Sequence, residues 1–217
     1  MKNQKNNLNK RRLKVLETAK KIIPFEGWNE NIIKFVSNKS NLSIFEIEAL
    51  FPNGYRDLLE FYLNNLDNEM IKKVKSINLN NLRTHEKIYK IIMIRINNNI
   101  KEKELFRKTM FNLSMPFNAK IAISSVYKTV DNMWYLTNDR SYDFNYYTKR
   151  AILAFIYSST IFFWINDDSN DIKNIEIFLK KQIKKTSSIK GVKNFFINNL
   201  NRVPNIINFR KVFKKPS

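Results

Sequence analysis

The chain has 217 residues, 43% of them hydrophobic, and a sequence of this length can bury one sizeable core. It contains three glycines and no cysteine, which argues against multi-stranded β-architectures and excludes disulfides and cysteine-ligated zinc. The formal net charge of +20 suggests nucleic acid, but Lys, Asn and Ile are all abundant, as in proteins from AT-rich genomes, so charge alone does not identify a partner.

Apolar residues recur at helical spacing along the chain, and no pair of strands with a hairpin signal is found. The pattern predicts an all-α fold of nine or ten helices. These cover about 9–23, 29–39, 43–51, 55–76, 82–101, 103–113, 116–137, 145–166 and 171–186, with a last candidate at 187–202. The first helix is expected to end before Pro24. Ser43, with Glu46 three residues later, is typical of a capping box.

The predicted helices divide the chain into five parts. Residues 1–8 are predicted to be a disordered basic N-terminus, and residues 9–54 a three-helix part that resembles a helix-turn-helix. Residues 55–186 form the larger helical part. An amphipathic helix at 187–203 and a basic tail at 204–217 complete the chain.

Neither a secretory signal nor a membrane span is predicted. The first residues, MKNQKNNLNKRR, lack an apolar h-region. The longest uncharged stretch lies between Arg150 and Asp167, and its sixteen residues fall short of the roughly 18–20 that a spanning helix needs. The protein is therefore predicted to be soluble or peripheral to a membrane.

The predicted helix at 145–166 is apolar around most of its circumference, which is typical of a helix at the centre of a domain. Core packing alone explains this pattern. The alternative is that part of the helix lines a cavity for a long apolar ligand. The residues predicted to bind lipid in that case are Arg150, Phe155, Ile156, Ser159, Phe162 and Phe163. Arg150 suits a head-group oxyanion or, alternatively, an ion pair with Asp143 or Glu176.

Large aromatic residues cluster near the polar loop at 137–145. Trp134, Tyr146 and Tyr147 are candidates for anchoring a protein interface, because exposed Tyr and Trp often do so. They would equally serve to close the core at the ends of two helices.

The segment SSIKGVKNFFINNLNR (187–202) has an apolar stripe flanked by basic residues. This pattern is typical of a helix that lies on an anionic lipid surface, although an ordinary tenth core helix would also show a stripe. The residues predicted to contact the membrane are Lys190, Val192, Lys193, Phe195, Phe196 and Leu200.

The sequence offers no catalytic constellation. His85 is the only histidine, and no Glu-x-x-His pair of a di-iron site exists. Asp167, Asp168 and Asp171 are explained as a loop and a helix cap. We therefore expect no metal, no cofactor and no enzymatic activity.

The stretch LSIFEIEALFPNGYRDLLEFYL (42–63) resembles the helix-turn-helix junction of TetR-type regulators, in which the third helix enters the DNA major groove. Here that helix carries Glu46 and Glu48, and no basic residue lies between Ser40 and Tyr55. Acidic side chains at this position oppose DNA binding, because phosphates and base edges are contacted mainly by Lys and Arg. A TetR-type DNA-binding regulator is kept as the alternative function.

Three further stretches resemble a narrower family. IPFEGWNENII (23–33), SYDFNYYTKRAILAFIYSSTIFFWINDDS (141–169) and IEIFLKKQI (175–183) are similar to the ubiquinone-biosynthesis accessory family of the CoQ-nine type, over about residues 11–190. The block D-x-N-[WY]-Y-T-[KR]-R, which includes Asp143, Asn145, Tyr146 and Tyr147, is a specific signal. Tyr146 stands where the family often has Trp.

The resemblance implies a TetR-like fold that binds lipid rather than DNA, with the lipid in the part 55–186. It implies an isoprenoid quinone precursor or phospholipid as ligand and the di-iron demethoxyubiquinone hydroxylase as partner. The residues expected to face that partner are Trp134, Asp143, Asn145, Tyr146 and Tyr147. A homodimer is expected. So is a peripheral location on the cytoplasmic face of a bacterial inner membrane or, in a eukaryote, on the matrix side of the mitochondrial inner membrane.

Overall fold

The computed structural model describes the backbone of residues 2–138, 145–169 and 171–187, and the side chains of 6–138, 146–169 and 171–186. The described residues form nine α-helices and no strand, so the predicted all-α class is confirmed. The helices are α1 (Lys2–Glu26), α2 (Ile32–Lys39), α3 (Ile44–Leu50), α4 (Tyr55–Lys75), α5 (Thr84–Asn97), α6 (Lys103–Leu113), α7 (Ala119–Leu136), α8 (Asn145–Asn166) and α9 (Ile172–Ser187). Single 3-10 turns at Ile100–Glu102 and Pro116–Asn118 precede α6 and α7.

Helix α1 is longer at both ends than the sequence pattern predicted. It begins at Lys2, where a disordered N-terminus was expected, and it continues past Pro24 to Glu26. Pro24 lacks an N–H donor and its ring crowds the carbonyl four residues earlier, and α1 ends two residues after it. The last turn of α1 closes with the amide of Gly27 donating to the carbonyl of Ile23 at 2.8 Å, and Gly27 has a φ of 72°, a value that glycine adopts readily.

The start of α3 agrees with its prediction. The hydroxyl of Ser43 accepts a hydrogen bond from the amide of Glu46 at 3.3 Å, and the carboxylate of Glu46 accepts one from the amide of Ser43 at 2.9 Å. These two bonds are the predicted capping box. They satisfy two amides that the first turn of a helix otherwise leaves unpaired.

Two other boundaries differ from the prediction. Helix α2 starts at Ile32 rather than at Asn29, because the Asn29 side chain accepts from the amide of Asn31 at 2.9 Å and forms a turn before the helix. Helix α5 ends at Asn97, and the chain then tightens into the 3-10 turn before α6. The predicted bounds of α6 and α8 are confirmed.

The larger part of the molecule is built around α8. This helix packs against α6, α7 and α9, while α4 packs against α5 and α7. Trp164 on α8 is buried and meets Phe106 of α6 edge to face, with ring centroids 4.9 Å apart. Phe106 in turn meets Tyr62 of α4 at 6.4 Å. The apolar sequence of α8 therefore reflects its central position among neighbouring helices.

A buried contact joins the three-helix part to the larger part. Trp28, in the turn after α1, donates from its indole N–H to the hydroxyl of Thr109 on α6 at 3.0 Å. The Asn112 amide of the same helix donates to the Trp28 carbonyl at 3.1 Å. These bonds fix the small part against one face of α6, and other residues of the same helix border the cavity described below.

None of the helices in the described ranges has the length and apolar character that a membrane crossing requires.

Candidate functional site

A cavity of about 730 Å³ lies between α8 and the helices α4–α7. Such a volume is within the range of about 300–1,000 Å³ that small-molecule sites occupy. Most of its wall is apolar and comes from α6, α7 and α8. The apolar lining residues are Leu63, Met110, Phe111, Leu113, Ala122, Val126, Phe155, Ile161, Phe162 and Ile165.

Three phenylalanines that line this cavity are also exposed to solvent. Phe111 of α6 is 68% exposed, and Phe155 and Phe162 of α8 are 57% and 67% exposed. Because each residue contributes to the wall and also reaches the surface, the three side chains mark the mouth of the cavity. Arg107 also lines the cavity near this mouth. Its guanidinium donates one hydrogen bond to the Glu104 carboxylate at 2.7 Å and another to the Ile165 carbonyl at 2.7 Å.

The floor of the cavity is polar and buried. Arg95 of α5 lines the cavity, is 2% exposed and lies 2.8 Å from the carboxylate of Asp67 on α4. The Thr129 hydroxyl donates to the same carboxylate at 2.9 Å. Tyr157 of α8 also lines the cavity, and burial raises its pKa, while the charge of Arg95 opposes this rise. We call Asp67, Arg95, Thr129 and Tyr157 the polar floor.

Sequence reasoning missed the polar floor, because its four members are far apart in the chain and three of them look like ordinary helix residues. One signal was available. Arg95 interrupts the run IIMIRI of α5, whose other members are Ile and Met. A single charge in an apolar helix face indicates either a surface position or a buried pair, and only the fold distinguishes the two.

The residues predicted to bind lipid divide into two groups. Phe155, Ser159 and Phe162 line the cavity. Ile156 is buried on another face of α8 and borders a smaller space near α5 and α9, whereas Phe163 stacks on Phe178 of α9 with ring centroids 4.3 Å apart. Ile156 and Phe163 are thus packing residues, since neighbouring side chains of a helix point in different directions.

Arg150 does not border the cavity. Its Nε and one of its terminal nitrogens lie 2.7 Å from the Asp131 carboxylate of α7, and its guanidinium lies over the ring of Tyr146 at 3.3 Å. Glu176 is not its partner among the described contacts, and Asp143 lies outside the described residues. Arg150 is 8% exposed and ties α7 to the start of α8, which explains its position without a lipid head group.

The predicted partner-binding residues occupy different environments. Tyr146 and Tyr147 meet edge to face at 5.1 Å, and Tyr147 is exposed. Burial is the main cause that raises the pKa of Tyr146. Trp134 is buried in the core, so it supports this surface from below rather than contacting a partner. Asp143 and the side chain of Asn145 lie outside the described residues.

The predicted membrane helix also lies outside the described residues. This holds for Lys190, Val192, Lys193, Phe195, Phe196 and Leu200, and for the basic tail that follows them. Their assignment stays a prediction from the sequence.

No cluster of three or more His, Asp or Glu side chains suited to a metal ion occurs in the part of the chain that is described. Asp167 accepts from the Ser169 amide at 3.1 Å, and Asp171 accepts from the Lys173 amide at 2.9 Å at the start of α9. Hydrogen bonds from Ser169 lower the pKa of Asp167. These acidic residues thus act as the predicted loop and helix cap.

Helix α3 presents negative charge to solvent. Hydrogen bonds from Ser43, together with the nearby Arg11, lower the pKa of Glu46, so that its carboxylate is ionised at neutral pH. Arg11 of α1 lies 2.6 Å from it. Glu48 is exposed on the same helix.

The fold and the sequence were compared with known proteins. The family model described as COQ9 matches residues 119–190, which contain α7, α8 and α9. A mitochondrial ubiquinone biosynthesis protein COQ9 from Rattus norvegicus is 27% identical over 176 residues, which are 78% of this chain and 56% of that protein. The Schizosaccharomyces pombe protein coq9 is 27% identical over 184 residues, covering 83% of this chain and 71% of its own length.

The chain is thus similar to COQ9 proteins over most of its length.

The human COQ9 protein is 26% identical over 78% of this chain. The chain spans about half the length of the rat and human relatives, namely 56% and 55%. The crystal structure of a TetR transcriptional regulator from Nitrosomonas europaea ATCC 19718 superposes with a TM-score of 0.68 at 20% sequence identity, covering 82% of this chain and 99% of the regulator. This likeness shows that the chain has a TetR-like fold, as the sequence predicted.

Proposed function

We propose that this protein is a non-catalytic accessory protein of ubiquinone biosynthesis that holds a long apolar lipid in the cavity between α4 and α8. The relatives it matches are named for that pathway and as mitochondrial, which supports a mitochondrial location here. The observation that carries the proposal is the apolar cavity of about 730 Å³ with its phenylalanine mouth. The family model covers α7 and α8, which supply much of its wall.

The energetics of burial support a lipid as occupant. Each methylene that leaves water contributes about 0.8 kcal/mol, and the apolar walls of α6, α7 and α8 accept such groups without leaving polar atoms unpaired. An isoprenoid or acyl tail can thus be withdrawn from a bilayer at a small net cost. The ligand we propose is an isoprenoid quinone precursor, with phospholipid as the other candidate.

The partner in this proposal is the di-iron demethoxyubiquinone hydroxylase, and its docking surface is the end of α7 and the start of α8. Tyr135 and Tyr147 are exposed there, and Tyr146 packs beside them. Exposed tyrosines bring large contact area with few rotatable bonds, which is why they are enriched in interfaces. Replacing Tyr147 by Ser is expected to weaken co-purification with the hydroxylase, while replacing Tyr89, on α5, leaves it unchanged.

Membrane association is assigned to the segment 187–203. A protein in which Phe195 and Phe196 are both replaced by Ser is expected to sediment less with anionic liposomes while melting at the same temperature as the wild type. Unchanged liposome binding together with a large drop in melting temperature would instead assign these two residues to the core.

The central experiment is organic extraction of the purified protein, followed by mass spectrometry. We expect co-purified lipid from the wild type and its loss from Ala122→Phe, which fills the cavity from α7. Ala119→Phe is the matched control, because it adds the same side chain to an exposed position of the same helix. No recoverable lipid from the wild type would contradict the proposal, and so would equal recovery from both variants.

A DNA-binding measurement distinguishes the proposed function from the competing one, a TetR-type regulator. A regulator would bind a preferred duplex tightly at about 150 mM salt, with a steep dependence of affinity on salt. Because Glu46 and Glu48 make α3 acidic, we expect only weak binding that any duplex competes away. Tight, sequence-selective binding would favour the regulator.

A further inference from the structure

The polar floor contains a hydrogen-bond donor that no protein group uses. Among the described residues, several buried side-chain nitrogen and oxygen atoms lack a partner, and Arg95 Nε is the one that belongs to a residue lining the cavity. The terminal NH1 of Arg95 is held by Asp67 at 2.8 Å. A buried N–H without an acceptor costs about 1–3 kcal/mol, so a ligand oxygen at this position would remove a penalty as well as add a bond.

Two serine hydroxyls and one threonine hydroxyl of the wall are already engaged. The hydroxyls of Ser125 and Ser159 donate to the carbonyls of Ala122 and Ile156 in their own helices, at 3.0 and 3.1 Å. Thr129 donates to Asp67. Within the polar floor, Arg95 Nε is thus a donor for which the structure shows no acceptor.

The charge of the floor limits which ligand suits it. Arg95 and Asp67 form a pair whose charges cancel, and both residues are buried. An anionic head at this depth would face Asp67 with no cation left to neutralise it, and an uncompensated buried charge is strongly unfavourable. A carbonyl oxygen accepts the Arg95 N–H without bringing charge.

We infer that the cavity binds its lipid head first, with an uncharged, carbonyl-type head against Arg95 Nε and with the apolar tail directed towards the mouth at Phe111, Phe155 and Phe162. The inference rests on the proposed function and narrows its ligand. Heads of the carbonyl type are selected, and phosphate heads are rejected. It also differs from the expectation from the sequence, in which Arg150 would meet the head group.

The first test compares three eighteen-carbon probes on the purified full chain: methyl stearate, octadecane and octadecyl phosphate. Wild type is expected to bind methyl stearate roughly tenfold more tightly than octadecane, and octadecyl phosphate more weakly than methyl stearate. Arg95→Lys keeps a cation beside Asp67 but has no Nε, so it should lose this preference and still bind octadecane. Arg11→Lys, which changes the arginine of an arginine–carboxylate pair outside the cavity, is the matched control and should keep the preference.

The second test reads the orientation directly and leaves the polar floor intact. The chain has no cysteine, so Asn166→Cys, at an exposed position one turn after Phe162, gives a unique site for a fluorophore beside the mouth. Methyl stearate that carries a nitroxide near its methyl end should quench this fluorophore more strongly than methyl stearate with the nitroxide near the ester. The reverse order would mean that the tail enters first, and it would overturn the inference.

The outcomes distinguish the inference from the proposed function. If wild type binds none of the three probes, lipid binding itself fails, and the inference fails with it. If the probes bind but Arg95→Lys keeps the wild-type preference, or if octadecyl phosphate binds best, the cavity is a lipid site and the head-first assignment is wrong.

Discussion

The two parts of the molecule each contain an arginine–carboxylate pair, and they use it differently. In the three-helix part, Arg11 and Glu46 are 2.6 Å apart, with both side chains 45% exposed. In the larger part, Arg95 and Asp67 are 2.8 Å apart and buried beside an apolar cavity. Water screens the attraction within the exposed pair. In the buried pair, the attraction must offset the free energy lost when both charges leave water. The three-helix part thus has its arginine–carboxylate pair at the surface, and the larger part buries its pair beside the cavity.

The key helices of the two parts show the same contrast. Helix α3, which in regulators contacts DNA, here carries exposed Glu46 and Glu48. Helix α8 has buried residues on several faces and two exposed phenylalanines at the cavity mouth. The three-helix part thus presents acidic side chains on α3, and the larger part contains the cavity.

The contrast between the two pairs gives the largest expected effect. Asp67→Ala leaves Arg95 buried without a counter-charge, and it should lower the free energy of unfolding by about 3–5 kcal/mol. Arg11→Ala removes the exposed pair and should lower it by about 0–1 kcal/mol. Urea denaturation of both variants measures the difference. Equal losses would mean that the buried pair is not maintained in solution.

A smaller effect is expected at the start of α3. Ser43→Ala removes the hydroxyl that accepts from the Glu46 amide, and loss of such a cap lowers the free energy of unfolding by about 1 kcal/mol. Ser43→Asn restores a good N-cap and should recover most of the loss. A Ser43→Asn protein as unstable as Ser43→Ala would argue against capping as the cause.

Alkaline pH should affect the larger part through Tyr62. Burial, followed by the nearby charge of Glu102, raises the pKa of this tyrosine well above its usual range. Tyrosine titrates at about 10 when unfolded, so above that pH the unfolded state binds fewer protons than the folded state, and stability falls as pH rises. The stability attributed to Tyr62 is therefore fully present below about pH 10 and is lost towards the higher folded pKa.

The measurement is a series of thermal melts between about pH 8 and pH 11, a window that brackets the reference tyrosine pKa. Tyr62→Phe should show a shallower loss of stability above pH 10 than the wild type, and little change at neutral pH because the Tyr62 hydroxyl has no protein partner. Tyr135→Phe, at an exposed tyrosine, is the control and should follow the wild type. Identical slopes for Tyr62→Phe and the wild type would contradict the assignment.

The smallest effect on stability is expected at the mouth of the cavity. Phe162→Ser removes an exposed side chain and should change the free energy of unfolding by no more than about 0.5 kcal/mol, while reducing the amount of co-purified lipid. Phe106→Ala, which removes a buried phenylalanine side chain, serves as the comparison and should lower the free energy of unfolding by about 3–5 kcal/mol. A large loss of stability in Phe162→Ser would place that residue in the core.

By itself the sequence determined the features that depend on near neighbours in the chain. Helical periodicity predicted the all-α class and the bounds of α6 and α8, and the Ser43–Glu46 spacing predicted the capping box. The apolar circumference of α8 indicated its central position, and family-like blocks indicated the relationship to the COQ9 proteins. These signals are local because a helix forms through contacts three and four residues apart.

Only the tertiary structure decided which side chains meet. From the sequence, Arg150 could contact a head group or form an ion pair. The structure shows an ion pair with Asp131, because α7 places that carboxylate 2.7 Å from Arg150 Nε. Phe155 and Phe162 line the cavity while Ile156 and Phe163 pack elsewhere, although all four lie on one apolar helix. The pairing of Asp67 with Arg95 joins α4 to α5 across 28 positions of the chain. Such contacts depend on how helices pack against one another, and the spacing of residues along one helix does not contain that information.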